Sequence, residues 1–126
     1  MLATKMRMSV TKQFRFEAAH HLPGYDGPCA ELHGHSYLLE VTVTSDSFKD
    51  DMVMDFVALK KLVQPFIEQL DHHYLNDLME RPTAEALLYW LGTELRVLDK
   101  RVWKLKLWET ATSYAEIEFG NLEPLR

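Results

Sequence analysis

The 126-residue sequence predicts an α+β fold, a four-stranded antiparallel sheet with two helices laid across one face, in the order β-β-α-α-β-β. Three observations point to it. Two stretches in the first third alternate apolar and polar residues, two in the middle follow a helical period, and two near the end alternate again. No repeat, low-complexity tract or long linker interrupts them, so residues 1–126 read as a single domain.

The first strand is predicted over residues 9–19 (SVTKQFRFEAA), where Val10, Phe14, Phe16 and Ala18 share one parity and Arg15 and Glu17 the other. PGYDGP follows, with two prolines and two glycines that require a loop. The second strand covers 35–44, with Tyr37, Leu39, Val41 and Val43 on one face, and its spacing suits an antiparallel pair with the first. Helical spacing over 55–70 aligns Phe56, Leu59, Leu62, Val63, Phe66 and Leu70, with Asp55 as N-cap. Pro65 lies inside this pattern and is expected to kink the helix or end it early. The second helix covers 83–98, capped by Thr83, with a stripe of Ala84, Leu87, Leu88, Leu91, Leu95 and Leu98. Residues 102–109 put Trp103, Leu105 and Leu107 on one side, and 113–119 alternate again after a short hairpin turn. A four-stranded sheet has two open edges, so an association that joins sheets edge to edge is expected.

Bulk composition narrows the function classes. Hydrophobic residues at 47% suffice for a core, and no apolar run approaches the about 20 residues of a membrane span. The basic N-terminal stretch has no continuous apolar segment, so a secretory signal is not expected and the default location is the cytoplasm. A net charge of -5 argues against a nucleic-acid surface but leaves room for a small anionic substrate at a local basic cluster. The single cysteine, Cys29, cannot form an intrachain disulfide. It is a structural thiol, a metal ligand or a reactive group.

Chemistry concentrates in residues 20–36, HHLPGYDGPCAELHGHS. His33 and His35 are two apart, so on a strand their imidazoles share a face. An antiparallel first strand brings His20 beside them. Three neutral imidazoles suit Zn²⁺ with one position left open, although Ni²⁺, Fe²⁺ and Cu²⁺ accept the same donors. His21 points the other way. Cys29 sits in the Pro/Gly-rich loop, where it is a fourth ligand, an inert thiol, or a thiolate base favoured by a nearby cation.

A second group, LDHHYLND at 70–77, ends the first helix in Asp71-His72-His73. Such a pair can serve as an oriented acid–base dyad, or it can simply answer the helix dipole. Glu109 ends the third long strand with the parity of Leu105 and Leu107, which puts a carboxylate on or beside an apolar face. There it is either half of a structural ion pair or an acceptor for the two parallel N–H groups of a guanidine-like ring edge.

Taken together, FEAAH at 16–20, CAELHGHS at 29–36, MDF at 54–56, LDHHYLND at 70–77, PTAE at 82–85 and WETATSYAE at 108–116 resemble the 6-pyruvoyl- and 6-carboxytetrahydropterin synthase superfamily over nearly the whole chain. The resemblance implies the tunnelling fold, with three subunits joining their sheets into a barrel and two rings stacking into a homohexamer whose active sites lie between subunits. It implies His20, His33 and His35 as zinc ligands and Cys29 as general base. It also implies Asp71 and His72 as a catalytic dyad delivered by a neighbouring subunit, and Glu109 as the anchor for the pterin 2-amino and N3 groups. Thr83 and Thr110 match stretches near the substrate, although capping accounts for Thr83 equally well.

The three-residue gap between Cys29 and His33 resembles the bacterial 6-carboxytetrahydropterin synthase branch. That branch converts 7,8-dihydroneopterin triphosphate and water to 6-carboxytetrahydropterin, acetaldehyde and triphosphate, on the way to queuosine and 7-deazapurines. Lys12, Arg15, Lys104 and Lys106 are the candidate triphosphate contacts. The short loop carrying Tyr25 and Asp26, and His21 where relatives often have Arg, depart from the family pattern near that group. The alternatives are pyruvoyl-type triphosphate elimination without carbon–carbon cleavage, a non-catalytic zinc or pterin-binding module, and a structural metal site closed by Cys29.

Overall fold

A computed structural model describes residues 6–119. Two long strands, β1 (Met8–His20) and β2 (His33–Ser45), pair antiparallel along their whole length, from Met8 opposite Ser45 to His20 opposite His33. Helix α1 (Phe56–Leu70), a two-residue strand β3 (His73–Tyr74) and helix α2 (Ala84–Leu98) follow. The hairpin β4 (Val102–Thr110) and β5 (Ser113–Glu118) closes the described chain. The sheet order is β3-β1-β2-β4-β5.

The four expected strands are therefore joined by a fifth. β3 runs parallel to β1, with Ala18 opposite His73 and Ala19 opposite Tyr74, so the sheet is mixed. Two residues carry no alternation, which is why the sequence pattern does not reveal this strand. It forms because the segment leaving α1 is tied to the β1 edge through Glu17, whose carbonyl accepts the His72 N–H.

Alternation puts Phe14, Phe16 and Ala18 of β1 on the helix-covered face with Tyr37, Leu39, Val41 and Val43 of β2, all buried. Leu59, Val63, Phe66, Ile67 and Leu70 of α1 and Leu87, Leu88, Leu91 and Leu95 of α2 close over them, and the helices meet through Phe66 and Trp90. Phe56 and Leu98, at the ends of the predicted stripes, are exposed. On β4 the core residues are Val102, Leu105 and Leu107 rather than Trp103. A bulge opposite Thr42 and Val43 inserts one residue and switches the parity at the strand's start.

Pro65 does not end α1, which runs five residues further. Pro65 and Lys61, whose carbonyl loses its helical partner, are both exposed, so water can satisfy that oxygen. At the far end of α2, buried Arg96 donates to the carbonyls of Lys100 and Val102, and its guanidinium lies over the Phe119 ring. That ring occupies the space above Gly92, where a Cβ would lie 2.7 Å from it. Among the described residues no helix is long and apolar enough to cross a membrane.

Candidate metal centre and adjoining cavity

The core layer of the sheet changes character at one end. His20 continues the parity of Phe16 and Ala18, and His33 and His35 continue that of Tyr37 and Leu39. The three imidazoles meet under the helix-covered face, with ring centroids 4.6 to 5.1 Å apart and ligand atoms within 4.8 Å of one another. His20 is 1% exposed. Cys29 is not part of this nitrogen cluster.

Hydrogen bonds fix two of the rings. His20 Nδ1 lies 2.8 Å from the Pro82 carbonyl and His33 Nδ1 lies 2.7 Å from that of Glu31. A carbonyl only accepts, so both Nδ1 atoms carry a proton, and in the neutral form of each ring Nε2 presents a lone pair. Those two Nε2 atoms are 3.0 Å apart. His35 Nε2 is buried with no hydrogen-bond partner among the described residues, and a Glu109 oxygen lies 3.7 Å away. Burial holds the His35 imidazole below its usual pKa; Glu109 opposes this, and His20 and His33 reinforce it. The result is three imidazoles whose nitrogens converge, and the carbonyls behind two of them act as the outer partners that orient metal-binding histidines. This donor set fits a tetrahedral ion such as Zn²⁺, with the fourth position open.

Behind His35 the site widens. Glu109 sits at a second bulge, between Trp108 and Thr110, which turns its side chain away from regular strand pairing. It lines a cavity of about 340 Å³ together with Cys29, Thr83, Glu85, Tyr25 and Tyr114. Cys29 is half-buried in a short turn, Pro28–Ala30, anchored where its carbonyl accepts the Leu22 N–H. Tyr37 is fully buried between the histidines and the core; burial, with the Glu109 charge second, pushes its phenol well above the usual range.

Most of the residues that the sequence singles out thus gather here. Thr83 lines the cavity and also caps α2, accepting the Ala86 N–H at 3.0 Å. Thr83→Ala is expected to cost about 1 kcal/mol of stability, and Thr83→Ser to restore it, in a denaturant titration. Thr110 does not reach the cavity. One residue past Glu109, it borders a groove on the other side of the sheet, with Arg15 and Trp108. Of the candidate triphosphate contacts, Lys104 lies 3.9 Å from Glu116, Lys106 sits over the Trp108 and Tyr114 rings, and Lys12 and Arg15 share a cleft with Lys60.

Asp71 and His72 lie at the β1–β3 edge, and the hydrogen bonds and ion pair of their side chains are with β1 and each other. Asp71 Oδ1 accepts the Glu17 N–H at 2.9 Å and Oδ2 lies 3.0 Å from His72 Nδ1. Among the described residues neither makes a hydrogen bond or ion pair with the three histidines, although His72 borders an open cleft that His35 also lines. His72 takes a positive φ of 58°, and its side chain is 78% exposed. The Glu17 N–H, followed by His72, holds the Asp71 carboxyl below the usual carboxylate range. A depressed folded value adds stability above the unfolded pKa of about 3.9, and that stability disappears as pH falls through the folded value. Asp71→Asn should therefore flatten the acid limb of a melting-temperature profile below about pH 4.

Sequence reasoning missed four participants. The carbonyls of Glu31 and Pro82 have no side-chain signature. Glu85 is visible only as part of PTAE, and Tyr37 only as the third member of a His-x-His-x-Tyr face.

The family model for 6-pyruvoyl tetrahydropterin synthase matches residues 9–119, spanning the three-histidine cluster, the cavity and the Asp-His pair. The chain belongs to the 6-pyruvoyl tetrahydropterin synthase family. Among relatives of this family, the 6-carboxy-5,6,7,8-tetrahydropterin synthase of Synechocystis is 41% identical over 92% of this chain and 97% of its own. The enzyme of the same name from Aquifex aeolicus is 34% identical, covering 88% and 98%. The dihydroneopterin monophosphate aldolase of Pyrococcus furiosus is 35% identical, covering 90% and 100%. The 6-pyruvoyl tetrahydropterin synthase structure from Caenorhabditis elegans shares the fold at a TM-score of 0.83 and 20% identity, over 93% of this chain and 99% of that one.

Proposed function

We propose that the protein is a zinc-dependent carbon–carbon lyase converting 7,8-dihydroneopterin triphosphate and water to 6-carboxy-5,6,7,8-tetrahydropterin, acetaldehyde and triphosphate, in queuosine and 7-deazapurine synthesis. The observation that carries this reading is the 3.7 Å approach of His35 and Glu109, which joins the three-histidine cluster to the cavity holding Cys29. The 41% identity to the Synechocystis 6-carboxy synthase along nearly its whole length supports the branch.

In this reading His20, His33 and His35 hold the zinc. Once bound, zinc polarises hydroxyls on the substrate's three-carbon tail and stabilises negative charge there. Glu109 accepts the 2-amino and N3 protons of the pterin and sets the ring against the cavity wall. Thr83 lines the same wall. Cys29, as thiolate, removes a proton from a tail carbon. Asp71 orients His72, which returns protons to the ring and to the leaving group. The family resemblance is the reason to assign them to a neighbouring subunit's site; within one chain they make no hydrogen bond or ion pair with the three histidines among the described residues, although His72 borders the same open cleft as His35. Among the described residues β5 is an edge of the sheet, and joining it to the exposed run of another chain's β1 would give the barrel of a homohexamer.

A second reading has its own support. The Pyrococcus relative is named an aldolase, and retro-aldol cleavage of the same tail would leave a 6-hydroxymethyl pterin and a phosphorylated two-carbon aldehyde. Incubation of the zinc-loaded protein with 7,8-dihydroneopterin triphosphate, following the pterin mass and free aldehyde, separates the outcomes. Acetaldehyde with a 6-carboxy pterin supports the lyase. A hydroxymethyl pterin moves the protein to the aldolase reading, and a pyruvoyl pterin without aldehyde to triphosphate elimination.

A further inference from the structure

His20 is the ligand most dependent on its surroundings, because it ends a strand and its ring is held from behind by a loop carbonyl, that of Pro82. One side chain, Asn76, ties both supports together. Its Oδ1 accepts the His21 N–H at 2.9 Å, and its Nδ2 donates to the His21 carbonyl at 2.9 Å. This bracket extends the backbone pairing of β1 just past His20, where β2 has already turned away. The same Nδ2 also donates to the Glu80 carbonyl at 3.1 Å, two residues before Pro82. Flipping the amide would set its oxygen against two carbonyls, so this orientation is the one the partners allow.

We infer that Asn76 is a positioning residue for the metal centre, holding the His20 backbone and the Glu80–Pro82 turn in the register that keeps His20 in its Nδ1–H form with Nε2 aimed at the ion. Two other links fasten the same segment to β1, Asp71 to the Glu17 N–H and the Ala18–His73 and Ala19–Tyr74 pairs. The half-buried His21 ring stacks on Tyr74, with its Nδ1 2.6 Å from the Tyr74 hydroxyl. None of these reaches the Pro82 turn. Apart from the His20–Pro82 bond itself, Asn76 is the side chain among the described residues whose hydrogen bonds join the Glu80–Pro82 turn to the strand, which is why its loss should act on the His20 ring rather than only on the segment's attachment.

The inference rests on the proposed metal site, and the experiment keeps the two separable. Ring ¹⁵N shifts of His20 are read by NMR on the metal-free full-length chain at about pH 8, where imidazoles are neutral. Zinc affinity is then measured by chelator competition, with the visible spectrum of the cobalt(II) form beside it. The unaltered chain should show the Nδ1–H tautomer. Asn76→Ala should drift toward Nε2–H, bind zinc about 10–100-fold more weakly and change the cobalt spectrum. Asn76→Asp, which keeps the shape and the His21 N–H acceptor but loses both donor bonds, should move the same readouts and decides the matter if the alanine chain does not fold. An unchanged tautomer and affinity in the folded variants would overturn the inference, as would failure of both variants to fold, which would make Asn76 a folding residue. Failure of the unaltered chain to bind zinc would overturn the metal reading while the tautomer still tests the positioning.

Discussion

A His33→Ala chain should lose its zinc-dependent gain in thermal stability while its metal-free melting temperature holds or rises. The usual expectation for a site residue is a loss in both states, and the geometry reverses it for one of them. His20 and His33 present lone pairs 3.0 Å apart, because each ring's other nitrogen is committed to a carbonyl. Without a cation that arrangement is repulsive, and His33 is only half-buried, so its truncation leaves no large cavity. With zinc at a hundredfold over its dissociation constant, the unaltered chain gains about 2.7 kcal/mol by mass action, and the variant should gain little of it. Turnover should fall by about a thousandfold, the equivalent of the several kcal/mol that metal polarisation supplies. Melting curves in chelator and in zinc check this. A large loss of metal-free stability with the zinc increment intact would sink the metal reading.

Cys29→Ala should separate chemistry from metal binding. Cys29 lines the Glu109 cavity and stands apart from the three-nitrogen cluster. Removing its sulfur is therefore expected to leave one zinc per chain, measured by atomic absorption. A general base contributes about 10²–10⁴-fold, and kcat should fall by that factor with KM little changed. Loss of zinc on this substitution would revive the structural four-ligand site. Retained turnover would move the proton-abstracting role elsewhere in the cavity, where Glu85 is another carboxylate on the wall.

Much of this site was legible in the chain because its parts obey short-range periods. His33, His35 and Tyr37 share a face by strand alternation alone, and His20 joins them because a full-length antiparallel pairing sets it opposite His33. Helix caps at Asp55 and Thr83 were readable for the same reason, since a cap is satisfied within three residues. The errors cluster where periodicity breaks. A bulge opposite Thr42–Val43 puts Val102 rather than Trp103 in the core, and another at Glu109 breaks the alternation there. A one-residue insertion leaves no mark in an alternating pattern until its partner strand is known.

By itself the sequence determined the order of the long strands and helices, the face on which the histidines converge, and the resemblance that the family model bears out over residues 9–119. Only the tertiary structure decided that β3 adds a parallel strand, that Cys29 keeps apart from the metal cluster, and that carbonyls of Glu31 and Pro82 set the ring tautomers. Side-chain periodicity is a local property of the chain. A backbone carbonyl looks the same at every position, and becomes part of a site only when a distant segment is folded against it.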